Sequence, residues 1–232
     1  MASVNWDLYW KRAEGEEPPR LYDRAARFYR NQIISRAAAS VLSHYFPNLP
    51  GRHYLHAGCG SGGSDRRIPL DRPRFHYLDL SPEALRLSRS QPLPLKRWYL
   101  CGDILSLPYA SESLDGIFNF GVMEHFPEVE IDSVLSEFHR ALKPTGRLVL
   151  FWPPEFGLSV RVLTAAGFIA DRFRKRPARW YPDEVSRIRS FSWIRDLMKR
   201  NRFLIVALEF GLRDLWTHVI VIARKMQPTP EV

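Results

Sequence analysis

The chain is short of cysteine, of long apolar runs and of acids, and each shortage excludes a class of protein. Cys59 and Cys101 are its two cysteines, too few for a disulfide framework. Each adjoins a glycine at an expected strand end. Both read as free thiols in a reducing compartment, so a cytoplasmic location is expected. No apolar run reaches the roughly 18 residues of a membrane-crossing helix, and none is expected. The opening Met-Ala-Ser-Val-Asn-Trp-Asp has no basic stretch leading into an apolar one and does not read as a secretory signal. No Cys/His cluster has the spacing of a zinc site, so no metal is expected.

Acids number 25 against 34 Lys and Arg, for a formal net charge of +9. The imbalance is concentrated in residues 171–202, where eleven basic side chains face four acids. Such a block suits an anionic substrate, an anionic lipid surface or nucleic acid; a solvated helix face is the plain alternative. Peripheral membrane contact is therefore left open, and the oligomeric state is not read from the sequence.

What is present suits one domain with an elaboration. The chain has 232 residues and 45% hydrophobic content, enough for a sizeable core. Apolar residues from Leu21 to Tyr45 recur at helical spacing, and Pro47 and Pro50-Gly51 end the run. Tyr22, Tyr29 and Arg30 on it are candidate lid residues. A first strand, Tyr54–Ala57, follows. Pro69 and Pro73 break the segment 64–74, so one short turn is expected there. A second strand covers Phe75–Leu78. Ser81-Pro82-Glu83 is a strong helix start, with a capping hydroxyl, proline in the first turn and an acid at the positive dipole end. Strands over Lys96–Leu100, Leu114–Phe120 and Arg147–Trp152 come next, with an amphipathic helix over Glu128–Leu142 whose apolar set includes Val129. Residues 153–190 read as an insertion with an apolar helix-like run, Phe156–Phe173. A helix over Ser192–Asn201 and an antiparallel pair, Phe203–Phe210 and Trp216–Ala223, close the chain. Alternating strands and helices point to an α/β, Rossmann-like, doubly wound and mostly parallel seven-stranded sheet, with a C-terminal antiparallel strand, an N-terminal helix and a helical lid insertion.

The chemistry gathers around residues 53–65. A short apolar run leads into Gly58, Gly60, Gly62 and Gly63, a loop that must bend tightly and let a ligand approach. Asp79 follows Gly58 by 21 positions at the end of the second strand. An acid so placed suits the hydroxyls of a ribose. The glycines alone leave the cofactor open. Gly58, Gly60 and Gly63 fit the dinucleotide pattern; Gly58, Gly60 and Gly62 fit the S-adenosylmethionine pattern. In such sheets ligands bind beyond the carboxyl ends of the strands. Gly58, Asp79, Asp103 and Asn119 all fall at such ends.

Taken in order, Leu55-His56-Ala57-Gly58-Cys59-Gly60-Ser61-Gly62, Leu78-Asp79-Leu80-Ser81-Pro82, Gly102-Asp103-Ile104, Leu107-Pro108-Tyr109, Gly121-Val122-Met123-Glu124-His125-Phe126 and Leu142-Lys143-Pro144-Thr145-Gly146 resemble the class I S-adenosylmethionine-dependent methyltransferases, in particular the quinone-biosynthesis-like small-molecule branch. The resemblance covers about residues 50–152 and 192–224. It implies a cofactor-binding domain over 51–152 and 191–225, an N-terminal helical cap over 1–50 and a helical substrate lid over 153–190. It implies S-adenosyl-L-methionine as cofactor. His56, Gly58, Cys59 and Gly60 would lie at its methionine portion and Asp79 on its ribose. Leu80 and Ile104 would flank the adenine, Asp103 would accept from its amino group, and the Asn119 backbone would sit near the ammonium group. His125 is the candidate catalytic base, and Trp152 is expected to help roof the pocket.

The family usually carries an acid at the place of His56, where it orders the loop. If the chain were a non-catalytic relic, a His56→Asp change would be expected to strengthen cofactor binding. The leading expectation is in-line methyl transfer to a small molecule, anionic or apolar and aromatic, with oxygen as acceptor atom. The alternatives are an RNA methyltransferase using residues 171–202, a non-catalytic interaction protein and an NAD(P)-dependent oxidoreductase. No separate RNA-binding module and no Asn/Asp-Pro-Pro-Tyr-type motif after the fourth strand is present, which argues against nucleic acid.

Overall fold

The computed structural model describes residues 5–13, 28–93, 95–158 and 184–226. Seven strands form one sheet in the order β3-β2-β1-β4-β5-β7-β6. They are β1 (His53–Ala57), β2 (Arg74–Asp79), β3 (Lys96–Cys101), β4 (Leu114–Phe120), β5 (Leu142–Trp152), β6 (Phe203–Glu209) and β7 (Val219–Lys225). β1 to β5 run parallel; β7 is antiparallel to both β5 and β6. Strand order reverses between β1 and β4, which both pair from the centre of the sheet. That reversal opens a crevice at their carboxyl ends.

Both faces of the sheet are covered, and the period-2 alternation of the strands decides which side chain goes where. Leu55, Ile117, Leu148 and Leu150 share one core with α4 (Glu128–Ala141) and α5 (Phe191–Arg200). Tyr54, Phe75, Tyr77, Phe118 and Phe151 share the other with α2 (Ser35–Tyr45). Phe46, just past α2, stacks on Tyr54 at 4.5 Å and closes that second core. A Cβ on Gly116 of β4 would stand 2.7 Å from its ring, so a side chain there would have to displace an aromatic pair.

Local sequence signals hold at several ends. α3 (Pro82–Ser90) is capped by the Ser81 hydroxyl, which accepts from the Ala84 N–H at 3.2 Å. The proline-broken segment supplies a single 3-10 turn, Gly63–Asp65. Elsewhere the expectations need correction. The helix expected over 21–46 is helical where described, but a wider π turn, Arg30–Ile34, precedes α2; Tyr22 lies outside the described residues. β5 starts at Leu142, five residues early. Leu142 pairs with Leu114 and Arg147 with Gly116, so the turn-like Lys143–Gly146 is carried as a bulge within the strand. Val129 is 80% exposed and does not join the buried stripe of α4. Trp216 precedes β7 in a left-handed conformation, φ 54°. Trp152 is fully buried against Trp193, so it is core and not a roof. Of the insertion, only 153–158 and 184–190 are described; there Pro154 pairs with Ile188.

Candidate active site at the carboxyl ends of the strands

The loop after β1 is shaped by left-handed glycines, with φ of 71° at Gly58, 52° at Gly60 and 67° at Gly62. At Gly62 the glycine is required twice over, because a Cβ there would also stand 2.6 Å from the Ser88 hydroxyl. The N–H groups of Gly58 and Cys59 both donate to the Leu78 carbonyl, which ties the loop to β2.

Asp79, at the end of β2, faces this loop. Its Oδ2 accepts the Gly60 N–H at 2.8 Å and its Oδ1 the Ser81 N–H at 2.9 Å. The carboxyl is almost buried, and burial pushes its pKa up; the Ser81 and Gly60 N–H groups pull it back. Beside it Leu80 is 55% exposed, an apolar side chain left bare at the rim. Asp103 accepts from the Leu105 N–H at 2.9 Å and so shapes the loop after β3, and Ile104 next to it is buried. Asn119, at the end of β4, is fully buried, and neither its Oδ1 nor its Nδ2 has a partner among the described residues. Gly58, Gly60, Asp79, Leu80, Asp103, Ile104 and Asn119 thus stand at the strand ends that the sequence pattern indicated.

The two thiols play no nucleophilic part in this geometry. Cys59 is buried under the loop and burial pushes its pKa well up, which keeps it protonated. Cys101 is exposed and donates to the Leu80 carbonyl at 3.5 Å.

His56 requires a correction. Its ring is buried among aromatics of the α2 side of the sheet, stacked on Phe118 at 4.5 Å with edge contacts to Phe120 and Tyr77. Its Nδ1 is 2.9 Å from Asp65 Oδ2, and both side chains are buried. An acid is therefore present under the loop, but it comes from the turn nine residues on. Spacing alone could have suggested Asp65 only if the 3-10 turn had been placed. The consequence reverses the expectation for His56→Asp. That change sets a second carboxylate against Asp65 in a buried site and is expected to destabilise the fold by about 3 kcal/mol or more. Adding Asp65→Asn should restore most of the loss; urea unfolding of the two variants would show it, and an equal loss in both would refute the pairing argument.

Beyond β4 the turn Met123–His125 turns the chain into α4. Glu124 is wholly buried, and burial lifts its pKa to about 8. The like charge of Glu184 adds to the rise and Arg187 opposes it. Its Oε2 has no partner among the described residues, while its backbone carbonyl accepts from the Val185 and Ser186 N–H groups. His125 meets an indole edge-on, Trp6 at 4.9 Å. Trp6 belongs to α1 (Trp6–Ala13), which also sets Asp7 on Ser81 and Trp10 on Gly60. Asp65 carried no local signal in the sequence, Glu124 stood only within the motif after β4, and for the face of α1 the signal was the i, i+4 spacing of Trp6 and Trp10.

Three of the six basic side chains described in the basic segment are ion-paired. Arg187 pairs with Glu184 at 2.6 Å, Arg189 with Glu128 at 2.8 Å and Arg200 with Asp132 at 3.0 Å. Residues 171–183 lie outside the described residues. Among the described residues no group of His, Cys, Asp and Glu is placed to hold a metal, and no helix is long and apolar enough to cross a membrane.

A glycine loop after the first strand, a buried acid at the end of the second and a sheet closed by an antiparallel strand define a nucleoside-cofactor methyltransferase fold. Residues 55–150 match the methyltransferase domain family, and over that segment the chain is similar to the class I S-adenosylmethionine-dependent methyltransferases. The chain is 33% identical over 149 residues to malonyl-[acyl-carrier protein] O-methyltransferase of Laribacter hongkongensis, covering 60% of this chain and 48% of the relative. It is 30% identical over 129 residues to a sterol 24-C-methyltransferase of Gibberella zeae, covering 52% and 33%. The chain thus spans half or less of the length of these curated relatives. The fold is similar to that of magnesium protoporphyrin IX methyltransferase from Synechocystis with bound S-adenosylhomocysteine, at a TM-score of 0.67 and 18% identity over 96% of this chain and 95% of that one. The cofactor of the family is S-adenosylmethionine. The site fits it on two observations: left-handed glycines that a Cβ would obstruct, and the Asp79 carboxylate aimed at them.

Proposed function

We propose that the chain transfers the methyl group of S-adenosylmethionine to a small-molecule acceptor, with oxygen as the acceptor atom. The observation that carries this reading is the Asp79 carboxylate, fixed between two backbone N–H groups and facing the glycine loop. Its unused lone pairs suit a ribose diol. Leu80 and Ile104 offer apolar faces to a base, and the orphaned amide of Asn119 suits the amino-acid end. Bound there, S-adenosylmethionine supplies an activated methyl on a sulfonium. The remaining work of the chain is to align the acceptor and exclude water.

His125 is the side chain proposed to take a proton from a hydroxyl acceptor. It stands just past β4, beside the crevice, and an imidazole exchanges protons near neutrality. A carboxyl acceptor, as the name of the Laribacter relative suggests, needs no base. The paired arginines argue against an extended nucleic-acid track, since Arg187, Arg189 and Arg200 already meet carboxylates.

Calorimetric titration with S-adenosylhomocysteine is the test. Binding in the micromolar range is expected. No heat at millimolar ligand would remove the cofactor assignment and, with it, the methyl-transfer reading.

A further inference from the structure

We infer that α1 is a strap across the cofactor crevice, fastened at three points of its rim, and that the bound cofactor leaves only when the strap lifts. The inference rests on the cofactor reading above.

The three fastenings are independent. The Trp10 ring lies on the backbone of Gly60, so close that a Cβ on that residue would be 2.8 Å from Cζ2 and 3.0 Å from Cη2. The Asp7 carboxylate accepts from the Ser81 hydroxyl at 2.5 Å and from the Glu83 N–H at 3.4 Å, at the positive end of the α3 dipole. The Trp6 ring meets His125 edge-on at 4.9 Å. Trp10 lies four residues from Trp6 and three from Asp7, so it shares a side of the helix with each of them. Their counterparts belong to the loop after β1, the segment after β2 and the turn after β4. Gly60 and Ser81 are also the two residues whose N–H groups hold Asp79. The helix therefore spans the rim and touches the hydrogen-bond frame of the site itself.

Its stability explains why it would lift. Eight residues are too few for a helix to persist alone, and capping by Asn5, whose Oδ1 accepts from the Leu8 N–H at 3.0 Å, does not change that. Among the described residues its side chains reach the rim at these three points, and a short helix seated by surface contacts is the kind of element that opens before the core. Trp6 and Trp10 are thus positioning residues that keep the crevice closed.

Stopped-flow measurement of S-adenosylhomocysteine release from the full chain tests this. Asp7→Ala and Trp10→Ala should each speed release by about tenfold or more with little change in the association rate, and Trp10→Phe should stay within about threefold of the parent. Amide exchange over residues 6–13 should slow when the ligand is added. Asp7 is half-exposed and outside the core, so its variant keeps the test open if Trp10→Ala fails to fold. Release rates within about twofold of the parent, with exchange over 6–13 indifferent to ligand, would overturn the strap while leaving the cofactor site standing. A parent chain that binds only once α1 is loosened would show α1 to be a plug and would also overturn it. Absence of binding in the parent and in every variant would remove the cofactor reading, and the strap with it.

Discussion

Replacing Glu124 by glutamine is expected to leave stability nearly unchanged at pH 4 and to raise it strongly at pH 8.5. The cause is the buried carboxyl just after β4. Burial lifts its pKa to about 8, against 4.5 for the free side chain. Between those values the folded chain holds one more proton than the unfolded chain. Stability therefore falls as pH rises, by about 1.4 kcal/mol per pH unit, and levels off once the folded group ionises. The full loss is about 5 kcal/mol. Glutamine has the shape of the neutral acid and never ionises, so the variant should show none of this slope. At pH 8.5 its melting temperature should exceed that of the parent by roughly 10 °C. Melting curves from pH 4 to 9 would decide it. Parallel profiles for the two proteins would mean that Glu124 is ionised in the fold and that its orphaned Oε2 has found a partner.

Asp79→Ala carries the second large effect, on binding. The carboxylate is held by the Gly60 and Ser81 N–H groups and has acceptor capacity left for the ligand. Hydrogen bonds to a charged acceptor are each worth about 1.5–3 kcal/mol, so losing the pair with a ribose diol should weaken S-adenosylhomocysteine binding by about a hundredfold or more. The variant also leaves two N–H groups of the loop frame without their acceptor, which loosens the glycine turn. Asp79→Asn should fare little better, because its amide presents a donor where one of those N–H groups needs an acceptor. Titration calorimetry, with a melting curve to confirm folding, gives the answer. A folded Asp79→Ala chain that binds within about threefold of the parent would end the assignment of this acid to the cofactor.

Much of the site was legible in the sequence because its residues lie where the chain changes direction. Gly58, Asp79, Asp103 and Asn119 sit at the ends of four consecutive strands, and strand ends are marked locally by apolar runs, glycines and caps. A parallel sheet then carries every such end to one edge without further information. The start of α3 at Ser81-Pro82 was legible for the same reason, since a capping bond spans three residues. The antiparallel close of the sheet followed from two strands joined by a short connection.

Contacts between distant parts of the chain were decided by tertiary structure alone. His56 was legible as a departure before the loop, but that its ring is buried against aromatics and meets Asp65 was not. Asp7 reaches Ser81 across 74 positions, and no period within α1 says what its aromatic face will touch. The pKa of Glu124 depends on how completely its neighbours exclude water, which no pattern around Met123–His125 expresses. Arg189 and Arg200 of the basic segment became paired side chains only when α4 brought Glu128 and Asp132 beside them. Sequence by itself determined the order of the elements and the edge at which the site lies, because hydrophobic period, turns and caps act over a few residues. Burial, side-chain partners and the seating of α1 belong to the tertiary structure, because desolvation and packing are set by whatever the rest of the chain folds against them.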